Sequence, residues 1–197
     1  MTDQRLMSQE EMEALISRFG EPRWQNHTIE VSHKTYDHWM RKVYTGSVSC
    51  RGEVIMVIVR HNGKVLLHTK DFYPGGVYRL PSGRVLWKEK VEEALHHEVE
   101  EETGLDVRVE RFLGLIEYQF CCQSRSIPFV SYVFQLQELG GELSCRDHQE
   151  GIIGFREATI GELSSVAEQL EHLVPQWQDW GNFRAIAHRF VKETLRG

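Results

Sequence analysis

Three glutamates, Glu98, Glu101 and Glu102, lie within one five-residue segment of the sequence. The residues around them, 87–103, include good helix formers and no glycine or proline, which predicts a helix. At about 100° per residue, the three carboxylates fall on the same side of this helix as its apolar residues. Because core-facing carboxylates need partners and neighbouring like charges repel, the arrangement favours divalent cations such as Mg²⁺ or Mn²⁺, which prefer oxygen ligands. We therefore predict a metal site, with a solvated acidic helix face as the alternative.

The residues on either side of these glutamates follow a regular spacing. Five residues separate Gly83 from Glu89, seven more precede His97, and Gly104 follows the predicted helix where a C-terminal cap is expected. The pattern resembles the Nudix box, G-x5-E-x7-R-E-U-x-E-E-x-G-U, in which U is a bulky aliphatic residue. The matching positions are Gly83, Glu89, Glu98, Val99, Glu101, Glu102, Gly104 and Leu105. His97 stands where the family has arginine, and the matched spacing is far more specific than a lone glycine-rich loop.

The resemblance carries expectations about fold and activity. The order of strands and helices extends it over roughly residues 45–170, and it implies an α/β fold, an α/β/α sandwich with a mixed β-sheet. It also implies divalent-metal-dependent hydrolysis of a phosphoanhydride in a nucleoside diphosphate that is linked to another group. Mg²⁺ or Mn²⁺ would be the cofactor, and a small-molecule nucleotide would be the substrate.

Individual roles follow from the resemblance, position by position. The implied metal ligands are the backbone carbonyl of Ser82 and the carboxylates of Glu98, Glu101 and Glu102. The general base of the family is either a glutamate of the box or one from a later loop, so the expected catalytic residues are Glu98, Glu101 and Glu150. Asp147 is a weaker candidate for the base, and an ordinary loop carboxylate is the alternative reading of Glu150.

Four box positions are expected to shape the site. Gly83 lets the loop turn tightly against the metal, Gly104 caps the helix, and Glu89 braces the helix through a charge partner. His97 replaces an arginine that orients the box carboxylates, and an imidazole has at most two donors. We therefore expect a working but slower enzyme. The second hypothesis is a Nudix-fold protein that has lost hydrolysis and binds a nucleotide as a sensor, although the intact glutamates argue against it.

The choice of substrate depends on the segment before the box. Residues 72–83 are similar in layout to the same segment of ADP-ribose pyrophosphatases, whose N-terminal extension contributes to a dimer, so we expect a homodimer. Arg79 departs from that subgroup, which favours an acidic residue there. Arg79 and Arg84 are candidate contacts for phosphate oxygens and Tyr78 for a base, with surface arginines and a core aromatic residue as the alternatives.

The rest of the chain divides into three predicted parts. These are an N-terminal helix and strand extension at 1–45, a Nudix domain at 46–172 and a C-terminal helix packed on the domain at 173–197. Within the extension, alternating apolar residues predict a strand at 28–31, and a weaker alternation predicts another at 43–48.

Composition excludes several classes of partner. The net charge of −6 gives no basic footprint for nucleic acid. No apolar run reaches the length of about 18 residues that a membrane helix needs, and the start of the sequence lacks a signal-peptide pattern. The four cysteines have no zinc-site spacing. We expect a cytoplasmic protein that binds neither nucleic acid nor a membrane.

Overall fold

The computed structural model describes residues 8–45 and 49–195. Across these residues the chain forms one mixed sheet of seven strands. The strands are β1 (Arg23–Glu30), β2 (Cys50–Val59), β3 (Val65–Lys70), β4 (Ser82–Leu86), β5 (Leu105–Cys122), β6 (Arg125–Gly141) and β7 (Ile152–Ala158). Their order is β1-β5-β6-β2-β3-β7, and β4 pairs with the first half of β2. The β1/β5 and β2/β6 pairs are parallel, and the other pairs are antiparallel.

Helices cover both faces of the sheet, which confirms the predicted α/β/α sandwich. The helices of the described residues are α1 (Gln9–Phe19), α2 (His33–Tyr44), α3 (Val91–Thr103), α4 (Leu163–Glu171) and α5 (Gln178–Leu195). One core lies beneath α1 and α3, and the other beneath α2, α4 and α5. The central strand β2 is apolar on both sides because Val54 and Met56 enter the first core while Ile55 and Val57 enter the second.

The helix that carries the three glutamates begins later than predicted. It runs from Val91 to Thr103, because residues 87–90 form a turn. A carboxylate from α1 caps this start, since Glu11 Oε1 accepts a hydrogen bond from the backbone N–H of Val91 at 2.8 Å. Gly104 ends the helix with φ 63°, a left-handed conformation that glycine adopts at low cost, so the predicted C-terminal cap is confirmed.

The N-terminal segment differs from its prediction in one element. The strand predicted at 28–31 is present as part of β1, but the weaker strand predicted at 43–48 is wrong where the chain is described. Val43 and Tyr44 instead end α2, whose buried face has helical spacing, and residues 46–48 lie outside the described residues. The alternation at 43–48 was too short to compete with the packing of this helix on the sheet.

Elements from both ends of the chain share the cores with the central strands. From α2, Trp39 stacks on Phe120 with ring centroids 4.4 Å apart, and it meets Phe183 of α5 edge-on at 5.2 Å. Leu15 of α1 lies in the other core, beside α3. Among the helices of residues 8–45 and 49–195, none has the length and apolar character needed to cross a membrane.

Candidate active site

Glu98 lies directly against Gly83, where α3 packs on β4. The backbone N–H of Arg84 donates to Oε1 of Glu98 at 2.8 Å. A Cβ atom added at Gly83 would lie only 1.8 Å from the carboxyl carbon of Glu98, so a larger residue has no room there. Gly83 lies within strand β4 and not in the tight loop turn that was expected, and its lack of a side chain instead leaves room for the Glu98 carboxylate.

Glu102 is the most deeply placed carboxylate of the site. Its side chain is fully buried, and Oε1 accepts a hydrogen bond from Nζ of Lys70 at 2.9 Å. The other oxygen, Oε2, has no hydrogen-bond partner within the described residues. Burial raises the pKa of Glu102, and the neighbouring positive charge of Lys70 offsets only part of that effect. Oε2 of the buried Glu102 carboxylate thus has no hydrogen-bond donor within the described residues.

Glu98 shares this shortage of positive charge. The residue is half-buried, and burial together with the negative charge of Glu102 raises its pKa to about 8. Glu98 therefore keeps its proton at neutral pH unless a cation joins the site. The third glutamate, Glu101, is more exposed, with 35% of its side chain accessible. Its backbone carbonyl accepts hydrogen bonds from Arg146 and Asp147, which ties the loop before β7 to α3.

That loop brings Glu150 to the site. Glu150 ends a short 3₁₀ turn, and its Oε2 accepts a hydrogen bond from the same Lys70 ammonium that binds Glu102. The structure thus places the candidate base beside the box carboxylates. Asp147 has a different position, because its Oδ1 accepts a hydrogen bond from the backbone N–H of Gln149 at 2.8 Å and caps the turn.

His97 connects two carboxylates of the box from the outer side of α3. Its Nε2 lies 2.9 Å from Oε1 of Glu101, and its Nδ1 lies 4.0 Å from Oε1 of Glu89. Glu89 in turn accepts a hydrogen bond from the backbone N–H of Leu86 at 3.1 Å. The imidazole of His97, which is 60% exposed, therefore lies between Glu101 and Glu89. An arginine side chain is longer and binds carboxylates through a planar guanidinium with several donors.

The side chain of Ser82 points to the other face of β4, into a buried polar network. Its Oγ donates to Glu53 at 3.3 Å and accepts a hydrogen bond from Arg79 at 2.9 Å. Arg184 of α5 donates to the same oxygen of Glu53 at 2.7 Å. Burial opposes ionisation of Glu53, but the positive charges of Arg184 and Lys42, together with hydrogen bonds from Arg184 and Ser131, lower the pKa of Glu53. Ser82, whose carbonyl is the expected metal ligand, is thus fixed by charged groups.

The three candidate substrate contacts have different surroundings. Arg79 is buried, not the surface arginine of the alternative reading, and it also donates to the hydroxyl of Tyr73 at 2.7 Å. Arg84 is exposed on β4, beside the backbone N–H that binds Glu98. Tyr78 contacts β7, where the guanidinium of Arg156 lies 5.2 Å from its ring. Of the three, Arg84 has an exposed side chain, whose charge acts on Lys42 and Cys50, while its backbone N–H binds Glu98.

Several charged residues of this region were not anticipated from the sequence. They are Lys70 and His68 on β3, Glu53 on β2 and Arg184 on α5. His68 and Lys70 are two residues apart and share one face of β3, so polar residues in an otherwise apolar strand were an available signal. Arg184 gave none, since a single arginine on an amphipathic helix is ordinary.

The glutamates do not form a complete metal cage. Within the residues that the structure describes, no three histidine, cysteine, aspartate or glutamate side chains meet at one point. The site is instead a group of carboxylates packed against β4, and two of them, the half-buried Glu98 and the buried Glu102, have raised pKa values. Gly83 lies where β4 and Glu98 come closest. Such a group can bind cations and can accept protons from water.

Comparison with known proteins is consistent with this geometry. The family model described as the NUDIX domain matches residues 51–180. A protein of Methanocaldococcus jannaschii named ADP-ribose pyrophosphatase is 32% identical over 126 residues, which cover 64% of this chain and 72% of that protein. The NAD-capped RNA hydrolase NudC of Pasteurella multocida is 36% identical over 66 residues, or 34% of this chain and 25% of that protein. A solved UDP-X diphosphatase aligns with a TM-score of 0.50 at 19% identity, over 85% of this chain and 72% of that structure.

Proposed function

As a member of the Nudix family, this chain is a pyrophosphohydrolase, and we propose that it cleaves a nucleoside diphosphate derivative with the help of a divalent metal ion. The observation that carries the proposal is the close approach of Glu98 to the glycine of β4, with the buried carboxylate of Glu102 beside Glu98. The substrate class we favour is ADP-ribose or a nucleotide sugar. The relative named ADP-ribose pyrophosphatase supports the first of these.

The residues present fit a divalent cation on electrostatic grounds. Glu102 is buried with Oε2 unpaired within the described chain, and Glu98 has a pKa of about 8, because of burial and of the charge on Glu102. A cation beside both carboxylates would stabilise their charged forms and so offset both perturbations, and hard oxygen ligands suit Mg²⁺ or Mn²⁺. The residues proposed to hold the ion are Glu98, Glu101, Glu102 and, through its backbone carbonyl, Ser82.

The side chains of the protein would perform the part of the hydrolysis that the metal ion does not. A bound divalent ion would supply charge neutralisation at the diphosphate and a lower pKa for a coordinated water. Glu150 is the proposed base that accepts a proton from the attacking water, and its hydrogen bond to Lys70 keeps its carboxylate beside Glu102. Water oxygen forms a bond to one phosphorus while the bridging oxygen leaves with the other, which yields two phosphate monoesters. Asp147 is less suited because its carboxylate caps the turn.

Substrate phosphates require positive charge near the carboxylates. Arg84 remains the proposed contact for phosphate oxygens because its side chain is exposed and its backbone N–H binds Glu98, although its charge acts on Lys42 and Cys50. Arg79 is committed to internal hydrogen bonds, so we propose that it holds Ser82 in place and contributes charge at a distance. Tyr78 remains a proposed contact for the base, at the edge of β7.

Release of phosphate tests the proposal directly. The purified chain would be incubated with ADP-ribose, nucleotide sugars and dinucleotides in the presence of Mg²⁺ or Mn²⁺, and a phosphatase would convert monoester products to free phosphate. We expect turnover of one class, and a loss of roughly a hundredfold or more in Glu102→Gln, since a metal centre contributes several kcal/mol to the transition state. Glu100→Gln is the matched control, because Glu100 lies on the exposed side of α3 and pairs with Arg146.

A different result would favour the second hypothesis. If no compound were hydrolysed while nucleotide and metal together still raised the melting temperature, the chain would be a nucleotide-binding protein of the Nudix fold. Turnover that survives unchanged in Glu102→Gln would instead contradict the proposed metal site.

A further inference from the structure

Lys70, the last residue of β3, places its ammonium group between two carboxylates of the site. Its Nζ donates to Oε1 of Glu102 at 2.9 Å and to Oε2 of Glu150. The lysine side chain is 6% exposed and that of Glu102 is fully buried, so the contact is shielded from solvent. An ammonium group that donates hydrogen bonds to two carboxylates is a cation at this position.

The other groups beside Glu102 do not take the place of this cation. His68, also on β3, has its Nδ1 3.7 Å from Oε2 of Glu102, which is beyond hydrogen-bond distance, and neither ring nitrogen has a hydrogen-bond partner within the described residues. Arg79 contributes positive charge at a distance, but its hydrogen bonds go to Tyr73, Leu80 and Ser82. Among the described residues, Lys70 is the cationic side chain that hydrogen-bonds Glu102.

We propose that Lys70 is a positioning residue that holds Glu102 before a divalent ion binds and competes with the ion for that carboxylate. Glu102 belongs to the metal site only under the proposed function, on which this assignment rests. A fixed ammonium beside the carboxylate repels a second cation, and the repulsion is strong at separations of a few ångströms. Lys70 thereby weakens the binding of free metal, and a substrate diphosphate, which brings negative charge, restores it.

Titration with Mn²⁺ tests this competition without relying on turnover. Binding would be followed by the loss of the free-ion electron paramagnetic resonance signal at pH 8.5, where proton competition is small. We expect the neutral variants Lys70→Met and Lys70→Gln to bind Mn²⁺ roughly tenfold more tightly than the wild type, because one repelling charge is gone. Lys70→Arg keeps the charge and should stay within about twofold of the wild type. Lys64→Met, at an exposed lysine just before the same strand, should not change the affinity.

Thermal unfolding separates this role from a purely structural salt bridge. In metal-free buffer the neutral variants should melt at a lower temperature, since Glu102 loses its partner, and Mn²⁺ should restore more stability to them than to the wild type. A structural salt bridge would lower the melting temperature and leave the Mn²⁺ affinity unchanged. That outcome, or weaker Mn²⁺ binding in both neutral variants, would overturn the proposal.

The same titration distinguishes this proposal from the proposed function. Equal Mn²⁺ affinity in the wild type and the neutral variants, together with hydrolysis by the wild type, would overturn the role of Lys70 alone. Binding of Mn²⁺ only by the neutral variants, with no hydrolysis by the wild type, would support Lys70 as the competing cation and contradict the proposed hydrolysis. Absence of Mn²⁺ binding in every chain would overturn both.

Discussion

Raising the pH should tighten the binding of Mg²⁺ by a calculable amount, because Glu98 has to lose a proton to become a ligand. Burial and the negative charge of Glu102 raise the pKa of Glu98 to about 8. The carboxyl is then about nine-tenths protonated at pH 7 and about one-quarter protonated at pH 8.5. Since metal ligands bind in their deprotonated form, the apparent Kd should fall roughly eightfold between these two pH values. Each ion bound at pH 7 should release nearly one proton, about 0.9, from this residue.

Isothermal titration calorimetry measures both quantities. Titrations at pH 7 in two buffers with different ionisation enthalpies give the number of released protons, and titrations at pH 8.5 give the change in affinity. Glu98→Gln should bind more weakly and should lose most of the proton release. Glu100→Gln, on the exposed side of the same helix, should match the wild type.

The raised pKa of Glu98 also sets the sign of a stability change. The folded, metal-free protein retains a proton that an ordinary carboxyl releases near pH 4.5, so the free energy of unfolding should decrease as the pH rises from about 5 to about 8. Mg²⁺ should remove that decrease. An affinity independent of pH, or equal proton release in wild type and Glu98→Gln, would refute the assignment of Glu98 as the proton-holding ligand.

Two further substitutions test the support of α3. His97→Arg should raise the rate of hydrolysis several-fold, because the planar guanidinium can hydrogen-bond Glu101 and Glu89 at the same time. The same change at the exposed His96 should have no effect. Equal rates for the wild type and His97→Arg would contradict the orienting role. Glu11→Gln should lower the free energy of unfolding by about 1–3 kcal/mol in urea titrations, because the carboxylate that pairs with Arg51 and accepts from the backbone N–H of Val91 becomes a neutral amide. An unchanged urea midpoint would show that the charge of Glu11 contributes little.

The part of the site that lies within one helix could be predicted from the sequence. Residues on a helix have fixed angular relations, so the phase of Glu98 and Glu102 against Leu95 and Val99 follows from their spacing alone. The structure bears out this phase for Glu102, which is buried like Leu95 and Val99, and in part for Glu98, which is half-buried, whereas the third predicted carboxylate, Glu101, is 35% exposed and contacts His97. The place of Gly83 came from the resemblance to the Nudix box and not from helix geometry, since Gly83 lies on β4 before the helix begins.

Contacts that join distant parts of the chain could not be predicted. Lys70 meets Glu150 because β3 pairs with β7, and no local pattern near either residue records that pairing. The start of α3 is likewise capped by Glu11, which is 80 residues away from Val91. The division into parts at 1–45, 46–172 and 173–197 remains a prediction.

The side chains of β4 alternate between its two faces, and this alternation explains how contacts from distant parts of the chain act on one site. Successive residues of a strand point to opposite faces, so Gly83 meets Glu98 on the α3 side while the Ser82 side chain meets Arg79 and Glu53 on the other. The α3 side has an excess of carboxylates, and the opposite side holds Ser82 through charged hydrogen bonds that are already satisfied. A bound cation is therefore stabilising only on the α3 side of β4. The network around Ser82, on the other side, keeps the backbone of β4 in place. Loss of that network should accordingly weaken metal binding without removing a single carboxylate ligand.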